Sequence, residues 1–247
     1  MATLITLDAV AHTREQLGTP GAEIWRTFFF PAPPGTRLPQ AFRVEYAPGR
    51  VLRTHFHDVD EFQVVVAGSG RLGTHALVPG TVHFARAHTG YGPIVAGPEG
   101  LSFLTLRARR DAAGPQLLPE KREELLRVPE REPWQASCVA RFADVSDRPG
   151  AVAIHSLQPL HDERGLDAFV VCASPFARTG LPPALGSGGQ FVAILKGSAV
   201  AGDTEYVATT VGFVSADEPA LEVTAGAFGL NALVFNFPKQ RTPSAAP

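Results

Sequence analysis

The 247-residue chain holds only two cysteines, one methionine, two tryptophans and three tyrosines. Cys138 and Cys172 can build neither a disulfide framework nor a four-thiolate zinc site, and no CxxC pair is present, so a reducing compartment is expected. No stretch approaches the roughly 18 consecutive apolar residues that a membrane span requires. The N-terminal Met1 to Asp8 has no basic region ahead of an apolar run, so no signal peptide or membrane partner is expected and the chain reads as cytoplasmic. Neither sign of charge predominates: 22 Lys+Arg face 24 Asp+Glu, a formal net charge of -2. That balance lacks the basic footprint of phosphate-backbone binding and excludes nucleic acid as the expected partner. GxSxG and HExxH are also absent. Gly68 to Gly73 does spell GxGxxG, but Thr74 to Pro79 reads as a further strand, and a dinucleotide site needs a helix to begin there.

What is abundant is punctuation. The 24 glycines and 22 prolines leave little room for long helices, while 45% hydrophobic and 19% charged residues suffice for a substantial core. Many short strands are expected. Self-comparison at a fixed offset is more informative than local propensity. Glu61 to Ser69 falls on Gln190 to Ser198 without a gap, an offset of 129 that persists through Gly73 and Gly202, Phe84 and Phe213, and Gly100 and Gly229. Phe62 to Val66, Leu101 to Leu106 and their counterparts read as strands, so the repeat is a duplicated all-β unit. Between the copies, Pro119 to Arg127 carries Pro and acids at its start and Pro129 as a stop, the pattern of a short helix or linker. The boundary is expected near 130, giving units 1–130 and 131–247.

Five of the eight histidines, His55, His57, His75, His83 and His88, lie in the first copy. Gly49, His55, His57, Glu61 and Gly68 obey G-x5-H-x-H-x3-E-x6-G. Strand alternation aims both imidazoles of the HxH to one side, and a carboxylate enters on the next strand. Such a mixed shell suits Fe, Mn, Co, Ni or Zn rather than Ca or Mg. His75 reads as a solvated strand residue. Val82 and Phe84 bracket His83, so alternation turns it away from their apolar face. The second copy supplies Ala184, Gly186, Gln190 and Asp217 where the first has His55, His57, Glu61 and His88, and cannot rebuild the site.

These five residues and their spacing resemble the first motif of the cupin superfamily. The resemblance implies an all-β chain of two double-stranded β-helix (jelly-roll) barrels with a short linking helix, a bicupin whose N-terminal half keeps its metal motif and whose C-terminal half is degenerate. It implies one divalent transition metal, Fe(II) first and Mn, Ni, Co or Zn as alternatives, bound by His55, His57, Glu61 and a ligand from a second motif. From Gly80 that motif puts Tyr91 in the ligand position, or His88 if the connection is three residues shorter, and His83 is a third candidate; His88 is the preferred choice. Arg53 shares parity with His55 and His57 and is expected to face the interior, where it could hold a substrate carboxylate. Gln63 shares parity with Glu61 and would line the pocket or orient a ligand. The resemblance implies a mononuclear non-haem iron dioxygenase acting on a small organic molecule. A redox-neutral lyase, decarboxylase or isomerase and a non-enzymatic small-molecule binder are the alternatives, and a homodimer is the assembly considered.

Overall fold

β-branched and aromatic residues alternate between glycine turns over most of the chain, and these runs form antiparallel strands. The computed structural model describes residues 2–19 and 23–239. The chain forms two double-stranded β-helix barrels. Residues 5–141 with 209–211 make up the N-terminal unit, and residues 2–4, 142–208 and 212–239 the C-terminal one.

In the N-terminal unit the main path of the sheet runs Gln135–Val139, Thr81–Ala85, Glu61–Leu72, Ile94–Arg107, Gln40–Tyr46, Ile24–Phe30, Glu15–Leu17. In the C-terminal unit it runs Thr3–Ile5, Val211–Val214, Gln190–Ala201, Glu222–Asn236, Asp167–Ala173, Val152–Ser156. The division at 141/142 lies beyond the boundary expected near 130. The reason is Gln135–Val139, which adds to the edge strand Thr81–Ala85 with Ser137 opposite His83. The short helix Arg122–Leu126 forms as expected and belongs to the N-terminal unit.

The offset of the repeat reappears in the hydrogen-bond register. Phe62 pairs with Leu106 and Gly68 with Leu101 in one barrel, and Phe191 pairs with Phe235 and Gly197 with Leu230 in the other. Gly68 and Gly197 share a positive φ of 73° and 72°. A Cβ at either would drive into the carbonyl oxygen of Gly100 or Gly229, so the bulge each occupies admits only glycine. GxGxxG accordingly falls on the end of the strand Glu61–Leu72 and, at Gly73, the turn after it, and no helix starts there.

The interiors differ. The C-terminal barrel is filled by an apolar cluster that includes Ala184, Val192, Ala232 and Val234. The N-terminal cluster includes Val65, Ile94 and Phe103, but the positions matching that quartet carry His55, Gln63, Phe103 and Thr105. Gly68→Ala is expected to destabilise the N-terminal barrel by about 1–3 kcal/mol, through strain and the clash with Gly100. An unchanged urea midpoint for that variant would show that the bulge is not under this constraint.

Candidate metal centre in the N-terminal barrel

A cavity of about 590 Å³ opens into the N-terminal barrel. Phe28, Phe42, Tyr46 and Phe103 form its apolar lining, and His55, His57, Glu61, Gln63, Arg107 and Asp111 its polar one. In the run Phe28 to Phe30, Phe29 is buried and the half-buried Phe28 forms part of the cavity wall. Tyr46 and Phe103 meet edge to face at 5.4 Å between ring centroids, a favoured aromatic geometry.

The HxH residues enter from the strand His55–Phe56, which pairs with Gln116–Leu117. Phe56 is buried on the opposite side, and the His55 and His57 rings lie 5.0 Å apart. His55 Nδ1 donates to the Arg53 carbonyl at 2.9 Å. A carbonyl can only accept, so Nε2 carries the lone pair, and that atom is buried without a partner. His57 Nδ1 lies 2.6 Å from Asp111 Oδ2. A carboxylate on the far nitrogen fixes the tautomer and raises ligand basicity, the arrangement found behind metal-bound imidazoles.

Glu61 is 2% exposed and fully engaged. Its Oε1 accepts from Tyr91 Oη at 2.7 Å and from Gln63 Nε2 at 2.8 Å. Its Oε2 receives Arg107 Nε at 2.6 Å and Nη2 at 2.5 Å. Arg107 Nη1 reaches Gln40 Oε1 at 2.9 Å and Asp111 Oδ2 at 3.3 Å. Burial alone would raise the Glu61 carboxyl, but the Arg107 guanidinium, then His57 and the Tyr91 hydroxyl, hold it down at about 2. Burial followed by the charge on Glu61 pushes the Tyr91 phenol well above its ordinary value, so it stays a donor.

His55, His57, Glu61, Gln63 and Tyr91 are brought together, whereas Arg53 and His88 are not. Arg53 lies between two separate strands, Val51–Leu52 on Ile94–Arg107 and His55–Phe56 on Gln116–Leu117, so alternation does not carry through it. Its side chain is half-exposed and pairs with Glu120 at 2.7 Å. His88 donates its amide to the His57 carbonyl from a left-handed backbone (φ 59°), with its ring beside Phe56 and Nδ1 3.5 Å from Asp58. Tyr91 takes the inward place because its amide and carbonyl bridge reciprocally to His55, at 2.9 and 3.0 Å.

His83, expected to turn away from the apolar face of Val82 and Phe84, is nonetheless buried with its ring 5.0 Å from that of Tyr91, which stands 4.5 Å from His55, because both faces of this strand are covered. Its Nε2 is buried without a partner. His75 is exposed on its strand. Gln40, Arg107 and Asp111 were not found from the motif. The available signal for Arg107 was its parity with Phe103 and Thr105 at the end of an apolar strand.

Two buried imidazoles with Nδ1 tied back, His55 Nε2 without a partner and His57 Nε2 3.5 Å from Arg107 Nη2, beside a carboxylate, fit the donor chemistry of a divalent transition metal. Among the described residues no three His, Cys, Asp or Glu side chains lie close enough to hold an ion in the present arrangement. Arg107 holds the carboxylate, which stays 3.8 Å from His57 Nε2.

No family model matches the chain, and neither does any curated protein. Solved structures do. A candidate dioxygenase from Nostoc punctiforme aligns with 100% of this chain and 87% of its own, at 15% identity and a TM-score of 0.64. The nickel(II) complex of a bacterial pirin from Escherichia coli covers 97% and 100%, at 13% identity and 0.61. Oxalate decarboxylase from Bacillus subtilis, with Mn(II) centres, covers 96% and 78%, at 14% identity and 0.56. At these identities the likeness shows the cupin fold. No helix among the described residues is long and apolar enough to cross a membrane.

Burial pushes His83 down to about 4, and burial with His57 does the same to His55. Both are neutral in the folded protein, and each takes up a proton near 6.5 when unfolded. Their contribution is therefore complete above pH 6.5 and is lost as pH falls through about 4, with Glu61 adding a loss of the same sign from about 4.5 to 2. The thermal midpoint of the metal-free protein is expected to fall continuously between pH 6.5 and 4. A flat profile over that interval would contradict two buried neutral imidazoles.

Proposed function

We propose that the N-terminal barrel is a mononuclear metal centre acting on a small organic molecule, and that its chemistry is that of a non-haem iron dioxygenase. The observation that carries this reading is the pair of anchored imidazoles, His55 on the Arg53 carbonyl and His57 on Asp111, set beside Glu61 at a cavity with aromatic walls. His55 Nε2, His57 Nε2 and a Glu61 oxygen would hold the ion. Two histidines and one carboxylate are the donor set of Fe(II) oxygenases that keep positions open for substrate and O2. A bound Fe(II) would supply Lewis acidity and electrons.

The chain's own residues have separable tasks in this reading. Phe28, Phe42 and Phe103 offer an apolar surface to the body of the substrate and keep water from it. Asp111 accepts the His57 Nδ1 proton and so holds Nε2 as a lone-pair donor. Tyr91 and Gln63 orient the Glu61 carboxylate through Oε1, with the Tyr91 proton retained on its oxygen. Nickel(II) and Mn(II) in structures of the same fold support a divalent ion without choosing among metals.

Fe(II)-reconstituted protein is expected to retain about one metal equivalent by elemental analysis, while His57→Ala loses most of it and Asp111→Asn weakens binding by roughly 10–100-fold. Full occupancy in His57→Ala would move the centre elsewhere. Oxygen uptake should accompany turnover of a small organic substrate by the Fe(II) protein. Undiminished turnover under strict anaerobiosis would overturn the oxygenase reading in favour of a redox-neutral lyase, decarboxylase or isomerase.

A further inference from the structure

The duplicated barrel contains its own comparison for Glu61 and Arg107. Glu61 and Arg107 follow directly on the last paired rung, Phe62 with Leu106, and their side chains meet there. At the offset of the repeat these two become Gln190 and Asn236, which are ladder partners joined by a hydrogen bond of 2.8 Å from Gln190 Nε2 to Asn236 Oδ1. The same rung is therefore closed by a neutral amide pair in one barrel and by a buried ion pair in the other. Closing it requires no charge. The Arg107 and Glu61 side chains are only 7% and 2% exposed, and the guanidinium is further held by Gln40 and Asp111 and lies 5.5 Å from the centroid of the Phe42 ring.

We propose that Arg107 is a resident cation that competes with a divalent metal for Glu61, a positioning residue that sets how tightly the centre binds its ion. The proposal rests on the metal reading of the same pocket. With Arg107 in place the Glu61 charge is already compensated, and an arriving ion gains Oε2 only by separating a buried pair in which two guanidinium nitrogens converge on that oxygen. Without Arg107 the carboxylate is buried and uncompensated, so an ion that binds there relieves that cost as well as gaining a ligand. Removing Arg107 should then act in opposite directions on the metal-free protein and on metal affinity. A purely structural arginine would lower stability with no tightening of metal binding.

The test uses Co(II) alone as probe, read by its visible absorption on titration and by thermal midpoint with and without the ion. Three full-length chains are compared: wild type, Arg107→Asn, and the double variant Glu61→Gln/Arg107→Asn, which installs the amide pair that already closes this rung in the C-terminal barrel. Arg107→Asn is expected to melt lower than wild type without metal, to bind Co(II) about tenfold more tightly or better, and to recover its midpoint when loaded. The double variant should melt close to wild type and bind Co(II) about tenfold more weakly than Arg107→Asn. If Arg107→Asn does not fold without metal, Arg107→Lys, which keeps the charge but gives up the fork, carries the comparison and should bind Co(II) more tightly than wild type. Equal or weaker Co(II) binding by the folded single variant, with wild type binding normally, overturns the role of Arg107 alone. Failure of every chain to bind Co(II) overturns the metal reading and this proposal together.

Discussion

A carboxylate that is 2% exposed has lost its water and must be met by the protein, and much of the N-terminal pocket follows from that requirement. Three parts of the chain meet it. Gln63 comes from the same strand, Tyr91 from a segment bridged to His55 by its backbone, and Arg107 from the neighbouring strand one residue past Leu106. Each brings further contacts. Arg107 draws Gln40 and Asp111 inward, and Asp111 in turn holds His57 Nδ1. The orientation of the second imidazole thus depends on the same network that neutralises Glu61.

The duplication separates what the fold needs from what the pocket adds. Both barrels keep the glycine bulge, the central pair of long strands and their register. Among the described residues only the N-terminal barrel buries charged or imidazole side chains, while the C-terminal one keeps neutral polar groups such as Gln190 and Asn236. Ala184, Val192 and Val234 join the C-terminal apolar cluster at the positions of His55, Gln63 and Thr105. Phe103 is matched by Ala232, so the exchange is not a uniform gain of volume. A barrel of this plan is stable with a filled apolar interior, and the hollow, charged one is the departure.

Much of this was legible in the residues. The offset between Glu61 and Gln190 pointed to a duplicated all-β architecture, and the fold repeats it in register, Gly68 with Leu101 and Gly197 with Leu230. The HxH spacing gave His55 and His57 and parity gave Gln63, whereas alternation did not place His83, because both faces of its strand are buried. Parity failed at Arg53 because alternation presumes an unbroken strand, and the chain changes partner sheets on either side of that residue. The unshifted spacing from Gly80 falls on Tyr91, which does face inward, and it is the assumed three-residue shortening in favour of His88 that fails, because counting along a loop does not reveal which rung faces which. The reciprocal bridge between His55 and Tyr91 decides that, and it is formed by backbone atoms alike for every residue. Arg107 and Asp111 lay beyond the motif, and their importance comes from charges that meet only across the folded ladder.

The strand Gln135–Val139 lies past the point where the repeat suggested a cut, yet it is the outer neighbour of Thr81–Ala85. A fragment ending at 130 would leave the amide and carbonyl groups of Thr81–Ala85 without that partner, on a strand whose residues are all buried. Such an edge is a template for pairing with another chain. The autonomy of the N-terminal barrel as an isolated piece therefore hinges on about ten residues that its internal homology assigns to the other half. Within the intact chain the edge of the sheet passes to Gln135–Val139, whose residues are partly or fully exposed rather than buried.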